Sequence, residues 1–151
     1  MKFFNFAHQM KILFTCLGNI CRSPIAEAVL RKKIKENGLP WEVASNGTNR
    51  FHKGDPADSR TIAICEKNGI DISNHIARRF KTTDFEQYDR IICMADDVYE
   101  ELQQFVTHPN QLLKVSVHSF NDPWYGGAEG FDACFKAIDS FCDKMVVASQ
   151  E

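Results

Sequence analysis

The chain has 151 residues, 44% hydrophobic and 25% charged, a size and balance suited to one soluble domain with a sizeable core and too small for two. Its 18 basic and 20 acidic side chains leave a net charge of −2, which removes any electrostatic reason to expect a nucleic-acid partner. Six cysteines at irregular spacing, with an opening stretch too short and mixed for a secretory signal or membrane segment, point to reduced thiols and a cytoplasmic location.

Met10 stands directly before the first predicted strand, which makes residues 1–9 a candidate start-site extension. Residues 10–15 (MKILFT) are short and apolar, the pattern of a buried strand. Cys16 follows, then Leu17-Gly18-Asn19-Ile20-Cys21, then Arg22. Ser23-Pro24 reads as a helix opening, with the hydroxyl at the N-cap and proline at the first helical position. That helix runs to about residue 37. Ile25, Ala26, Val29, Leu30 and Ile34 share one side, Arg31, Lys32, Lys33 and Lys35 form a solvated face elsewhere, and Asn37-Gly38 is the stop. Residues 41–45 alternate as a second strand, with Ser45-Asn46-Gly47-Thr48 as the loop beyond it.

Residues 49–58 read as an irregular surface loop, followed by a helix to about residue 68 with Thr61, Ile64 and Cys65 inward. Residues 70–80 are irregular and 83–88 form a short helix. Residues 90–94 (RIICM) are a fully buried third strand. Asp96 and Asp97 start a helix with Val98, Leu102, Phe105 and Val106 on one face, and residues 112–115 are a fourth strand. Residues 121–127 (NDPWYGG) are a turn-rich loop. The last helix carries Phe131, Cys134, Phe135, Ile138, Phe141, Cys142, Met145 and Val146 as one stripe. Strands alternating with helices predict an α/β fold, a parallel sheet covered on both faces, with ligands at the carboxyl ends of its strands.

The loop after the first strand sits at that edge. A tight turn at a helix N-terminus collects backbone N–H groups and the positive end of the helix dipole, a setting for a tetrahedral dianion. Gly18 and Asn19 are the residue types that most readily take left-handed dihedrals there. Arg22 adds a planar fork for two phosphate oxygens. The same field stabilises a thiolate, so Cys16 is the expected nucleophile, and Ser23 can donate its hydroxyl to that sulfur. A bare Cys-x5-Arg would be weak evidence, compatible with a buried strand-end cysteine and an exposed arginine. Here the strand before, Gly-Asn within and Ser-Pro after give it context.

Cys-Leu-Gly-Asn-Ile-Cys-Arg-Ser-Pro resembles the active-site loop of the low-molecular-weight protein tyrosine phosphatases, and the likeness runs from about Lys11 to the end of the last helix. The resemblance implies a flavodoxin-like, three-layer α/β/α phosphatase fold whose four-stranded parallel sheet has the order 2-1-3-4. It implies hydrolysis of phosphotyrosine and small aryl phosphates through a phosphocysteine. Cys16 and Arg22 are then catalytic, and residues 17–23 (Leu17, Gly18, Asn19, Ile20, Cys21, Arg22 and Ser23) hold the phosphate. Asp122-Pro123-Trp124-Tyr125-Gly126 is similar to the family's Asp-Pro-Tyr-Tyr-Gly loop, whose aspartate is general acid and then general base. By itself Asp122 would read as an Asx-turn residue.

By the same resemblance Ser45 and His75 hydrogen-bond Asn19, and Phe51, Trp124 and Tyr125 wall the substrate ring. Cys21 closes a reversible disulfide with the nucleophile under peroxide. Bland readings stand beside these: a strand-end serine, a surface histidine, exposed loop aromatics and a small packing cysteine. Trp124 replaces the family's usual tyrosine, and Ala95 stands where an aspartate is common. No metal or cofactor is implied. The partners implied are phosphotyrosine-containing proteins, with inorganic phosphate as product and competitive inhibitor, no nucleic acid and no membrane. Aromatics around the site suit a monomer or a weak dimer.

Three rival functions differ from this one at particular residues. An arsenate reductase needs paired shuttle cysteines after the third strand, where Cys93 has no partner. A protein-arginine phosphatase carries a small polar residue at the position of Ile20. A thiol-redox or phosphocysteine-carrier module would not need Asp122-Pro123 and its aromatics.

Overall fold

The computed structural model of the chain describes residues 9–115 and 127–150. Four strands, β1 (Met10–Cys16), β2 (Trp41–Gly47), β3 (Arg90–Cys93) and β4 (Leu112–Lys114), form one sheet of order β2-β1-β3-β4, every neighbouring pair parallel. The helices are α1 (Arg22–Asn37), α2 (Ser59–Lys67), α3 (Asp84–Gln87), α4 (Asp96–Gln103) and α5 (Gly127–Ser149). This is the doubly covered α/β sheet with the expected strand order. Among the described residues no helix is long and apolar enough to cross a membrane.

Parity along the two central strands divides the core. Ile12, Phe14 and Cys16 of β1, with Ile92 of β3, pack with Ile25, Val29 and Leu30 of α1 and with Phe131, Phe135 and Ile138 of α5. Leu13, Ile91 and Cys93 face the other way, onto Phe85, Val98 and Leu102. Both faces are buried, so these strands read as continuous apolar runs. Each fully buried large side chain contributes about 1.5–3 kcal/mol, and a one-residue slip would exchange the two sets. That register fixes Cys16 as the last strand residue, level with Gly47.

Several local expectations need correction. Helix α1 begins at Arg22 with Cys21 as its N-cap and no side-chain cap bond, so Ser23 and Pro24 lie inside the first turn. Pro24 is tolerated because the first four helical N–H groups have no partner within the helix. The basic face of α1 is not wholly solvated. Lys33 pairs with Asp139 and Asp143 of α5 at 3.0 and 2.6 Å, and Arg31 donates to the Val43 carbonyl at 2.9 Å. Strand β2 continues through Ser45-Asn46-Gly47. Helix α4 stops at Gln103, which leaves Phe105 beyond it and 39% exposed. Residues 77–80 are not wholly irregular: Arg79 bridges Gly47 in parallel, adding a short ladder to the edge of β2. The extension reading of residues 1–9 falls, but for Gln9, outside the described residues.

Candidate active site

Between the end of β1 and the start of α1, residues 17–21 reverse the chain at the carboxyl edge of the sheet. Asn19 makes this possible with φ = 59°, a left-handed conformation that asparagine accepts more readily than most residues. Gly18, expected to share it, does not. What glycine supplies at position 18 is space, since a Cβ there would lie 3.0 Å from Cδ2 of His52.

The strained residue is held from all sides. The Asn19 side-chain amide donates to Ser23 Oγ at 2.8 Å and to Ser45 Oγ at 2.9 Å, while its Oδ1 accepts the Arg78 N–H at 2.9 Å. Its carbonyl accepts from His75 Nε2 at 2.8 Å, and its own N–H points at Cys16 Sγ, 3.3 Å away. Asn19 is wholly buried. Left-handed strain costs about 1–3 kcal/mol, and this many satisfied polar contacts offset it. Ser45 and His75, singled out in the sequence, thus both reach Asn19, one at its side chain and the other at its carbonyl.

The hydroxyl of Ser23, free of capping duty, lies 2.9 Å from Cys16 Sγ and 3.2 Å from the Asn46 carbonyl. It has one hydrogen and, with the Asn19 amide already donating to its oxygen, two candidate acceptors. The sulfur therefore has two donors within reach, Ser23 Oγ and Asn19 N–H, at the positive end of α1. Burial pushes the thiols of Cys65, Cys93 and Cys142 each up to about 12, which keeps them protonated.

Arg22 is 7% exposed, and its Nη1 makes a long 3.5 Å contact with the Met94 carbonyl just past β3. Cys16, Arg22 and Ser23 are therefore brought together, and Leu17, Ile20 and Cys21 complete the loop, Leu17 half open and the other two buried. The neighbouring loop is tied on by backbone bonds, Thr48 N–H to the Cys16 carbonyl at 3.0 Å and Asn49 N–H to that of Leu17 at 2.8 Å. On it Phe51 stands 82% exposed. Asp122, Trp124 and Tyr125 lie outside the described residues.

Three contributors escaped sequence reasoning. Glu27 accepts the Ser45 hydroxyl at 2.5 Å and is itself held by Arg31 at 2.6 Å, so an α1 ion pair orients the serine that orients Asn19. The Glu27–Arg31 spacing was visible, but not what the pair touches. Arg78 acts through its backbone N–H, which no side-chain pattern reveals. Gly47 is the third: a Cβ there would come within 2.8 Å of the Asn19 nitrogen and of the Leu17 oxygen. Gly47→Ala must therefore push the loop off β2. A displacement near 1 Å is expected to lower kcat/KM about 10²-fold, with far-ultraviolet circular dichroism unchanged. Steady-state kinetics on an aryl phosphate measures it.

Residues 11–151 match the family model described as "Low molecular weight phosphotyrosine protein phosphatase". A Schizosaccharomyces pombe protein of that name is 35% identical over 91% of this chain and 96% of its own length. A crystal structure of a protein tyrosine phosphatase from Entamoeba histolytica, with Hepes in its active site, superposes with a TM-score of 0.84 at 34% identity, covering 91% of this chain and 95% of that one. The Drosophila arginine phosphatase structure aligns with a TM-score of 0.83 at 27% identity, over 94% and 99% of the two chains.

Proposed function

We propose, for a chain that belongs to the low molecular weight phosphotyrosine protein phosphatase family and is therefore a phosphoprotein hydrolase, that Cys16 is the nucleophile, Arg22 the phosphate clamp and Asp122 the acid and base. Cys16 sulfur attacks phosphorus as the bond to the tyrosine oxygen breaks, and Asp122 protonates that oxygen as it leaves. Water, deprotonated by Asp122, then displaces the phosphocysteine and releases inorganic phosphate. Residues 17–23 hold the equatorial oxygens throughout, a matter of position and field rather than covalent help.

The observation that carries this reading is the sulfur of Cys16 facing Ser23 Oγ at 2.9 Å and Asn19 N–H at 3.3 Å where α1 begins. Phe51, Trp124 and Tyr125 are the walls for the aryl ring, and buried Ile20 favours phosphotyrosine over phosphoarginine. An arsenate shuttle through Cys93 is disfavoured by that thiol's burial, which holds it protonated. Under peroxide the Cys16 thiolate becomes a sulfenic acid, and the Cys21 thiol condenses with it, losing water, to a reversible disulfide. The working form is a single cytoplasmic phosphatase domain, monomeric or weakly dimeric, inhibited competitively by its phosphate product.

Alkylation tests the reading. Iodoacetate at pH 6 is expected to label Cys16 rapidly, to spare Cys65, Cys93 and Cys142, and to be blocked by phosphate or vanadate. Sluggish labelling, or labelling that these anions do not slow, would sink it. Parallel turnover of phosphotyrosine, phosphoarginine and arsenate separates the rivals.

A further inference from the structure

The segment Ile76-Ala77-Arg78-Arg79-Phe80-Lys81 forms one wall of an open cleft whose other side includes Lys53, Thr83 and Asp84. Its backbone is pinned at both edges. Gly47 N–H donates to the Arg78 carbonyl at 2.9 Å and Phe80 N–H to the Gly47 carbonyl at 2.7 Å, while Gly54 N–H meets the Ala77 carbonyl at 2.9 Å. The same segment supplies the Arg78 N–H that Asn19 accepts. The segment thus takes part both in supporting Asn19 and in lining the cleft.

Among the described residues the positive charge in this cleft is only partly balanced, by the Asp84 carboxylate. Lys53, Arg78, Arg79 and Lys81 are all exposed. Among the described residues no carboxylate pairs with Lys53, Arg79 or Lys81, and the Arg78 guanidinium donates to a neutral group, the Ser45 carbonyl, at 3.2 Å. Asp84 also lines the cleft, but it is buried and its Oδ2 already accepts from Asn46 Nδ2 at 3.0 Å and from the Lys81 backbone N–H at 2.8 Å. In a chain of net charge −2, four cations gathered in one concavity next to an anion loop are a local excess. Ile76, 56% exposed, and half-buried Phe80 add apolar surface for side-chain stems.

We infer that this cleft is a subsite for acidic residues flanking the phosphotyrosine of the substrate, so that the enzyme selects phosphotyrosines set in carboxylate-rich segments. The inference rests on the active-site reading above. An extended peptide advances about 3.3 Å per residue, and Arg78 belongs both to the cleft lining and, through its N–H, to the support of Asn19 in the loop. A two-sided concave cleft suits such a strand rather than a flat bilayer. Exposed charge pairs are individually weak and screened by salt, so the effect belongs to kcat/KM at low ionic strength.

The test compares phosphotyrosine peptides identical but for Glu or Gln at the flanking positions, with p-nitrophenyl phosphate as a substrate that cannot reach the cleft. The native enzyme is expected to prefer the Glu peptide by about 3- to 20-fold at low salt, with the preference shrinking as salt is added. In R79E/K81E the ratio should fall to about one or below, and R79A/K81A should lie between. Turnover of p-nitrophenyl phosphate within about twofold of native shows that both variants are folded. Equal handling of the two peptides by the native enzyme, or an undiminished preference in R79E/K81E, overturns the inference. So does a peptide ratio of one accompanied by binding to phosphatidylserine vesicles, which would make the cleft a membrane contact. Failure of the active-site reading looks different: no turnover of p-nitrophenyl phosphate or of either peptide.

Discussion

Cys16→Ser will retain phosphate and vanadate binding and lose turnover by on the order of 10⁵-fold or more. Serine keeps the shape of the site nearly unchanged, since Oγ replaces Sγ at the same branch and can still accept from Asn19 N–H and Ser23 Oγ. What it cannot do is ionise near neutral pH, so no anionic nucleophile faces phosphorus. The anion cradle does not depend on the sulfur. Residues 17–21, the N-terminus of α1 and the Arg22 guanidinium remain in place, and in the proposed site they carry the binding. Calorimetry with vanadate and turnover of p-nitrophenyl phosphate together decide the matter. Activity within tenfold of native would remove Cys16 from the mechanism.

Asp122→Asn is expected to leave that binding intact and to divide substrates by leaving group. A tyrosine phenolate, with a conjugate-acid pKa of about 10, departs poorly unless protonated, so phosphotyrosine hydrolysis should fall about 10²- to 10⁴-fold. Nitrophenolate is a better leaving group and needs little help in the first step. Its phosphocysteine must still be hydrolysed, and without a base that step becomes limiting. The outcome is a burst of nitrophenolate stoichiometric with enzyme, then a slow steady state. The alkaline limb of the kcat/KM profile, which reports a general acid, should also vanish. Equal losses on both substrates without a burst would assign the acid–base role elsewhere.

How far residues alone could reveal this molecule depended on the kind of information each position carries. Ile12 to Phe14 and Ile91 to Cys93 announced central strands because two-sided burial leaves only apolar residues there. The Phe131 to Val146 stripe announced α5 because helical period outlasts any local ambiguity. Ser23 reads as a cap because Ser-Pro is a good local opening. The local preference lost to the Cys16 sulfur and the Asn46 carbonyl, contacts seven and 23 residues away in sequence. Asn19 was legible as a residue tolerant of positive φ, whereas Gly47 was not legible as a gap. Its necessity arises from the backbone of Leu17 and Asn19 lying against it, and proximity across a sheet leaves no mark at the position itself. Glu27 and Arg78 escaped for the same reason.

The ties on Asn19 have a temporal consequence. Its partners stand 26, 56 and 59 positions further along, at Ser45, His75 and Arg78, and Arg22 waits for the end of β3. Contacts of such long separation form slowly and late. A ribosome that has already delivered Cys16 and Arg22 has made the whole signature and none of the enzyme. During synthesis the nascent segment lacks the partners that shape its loop, and the proposed competence to attack phosphate arrives only when the distant strands have docked.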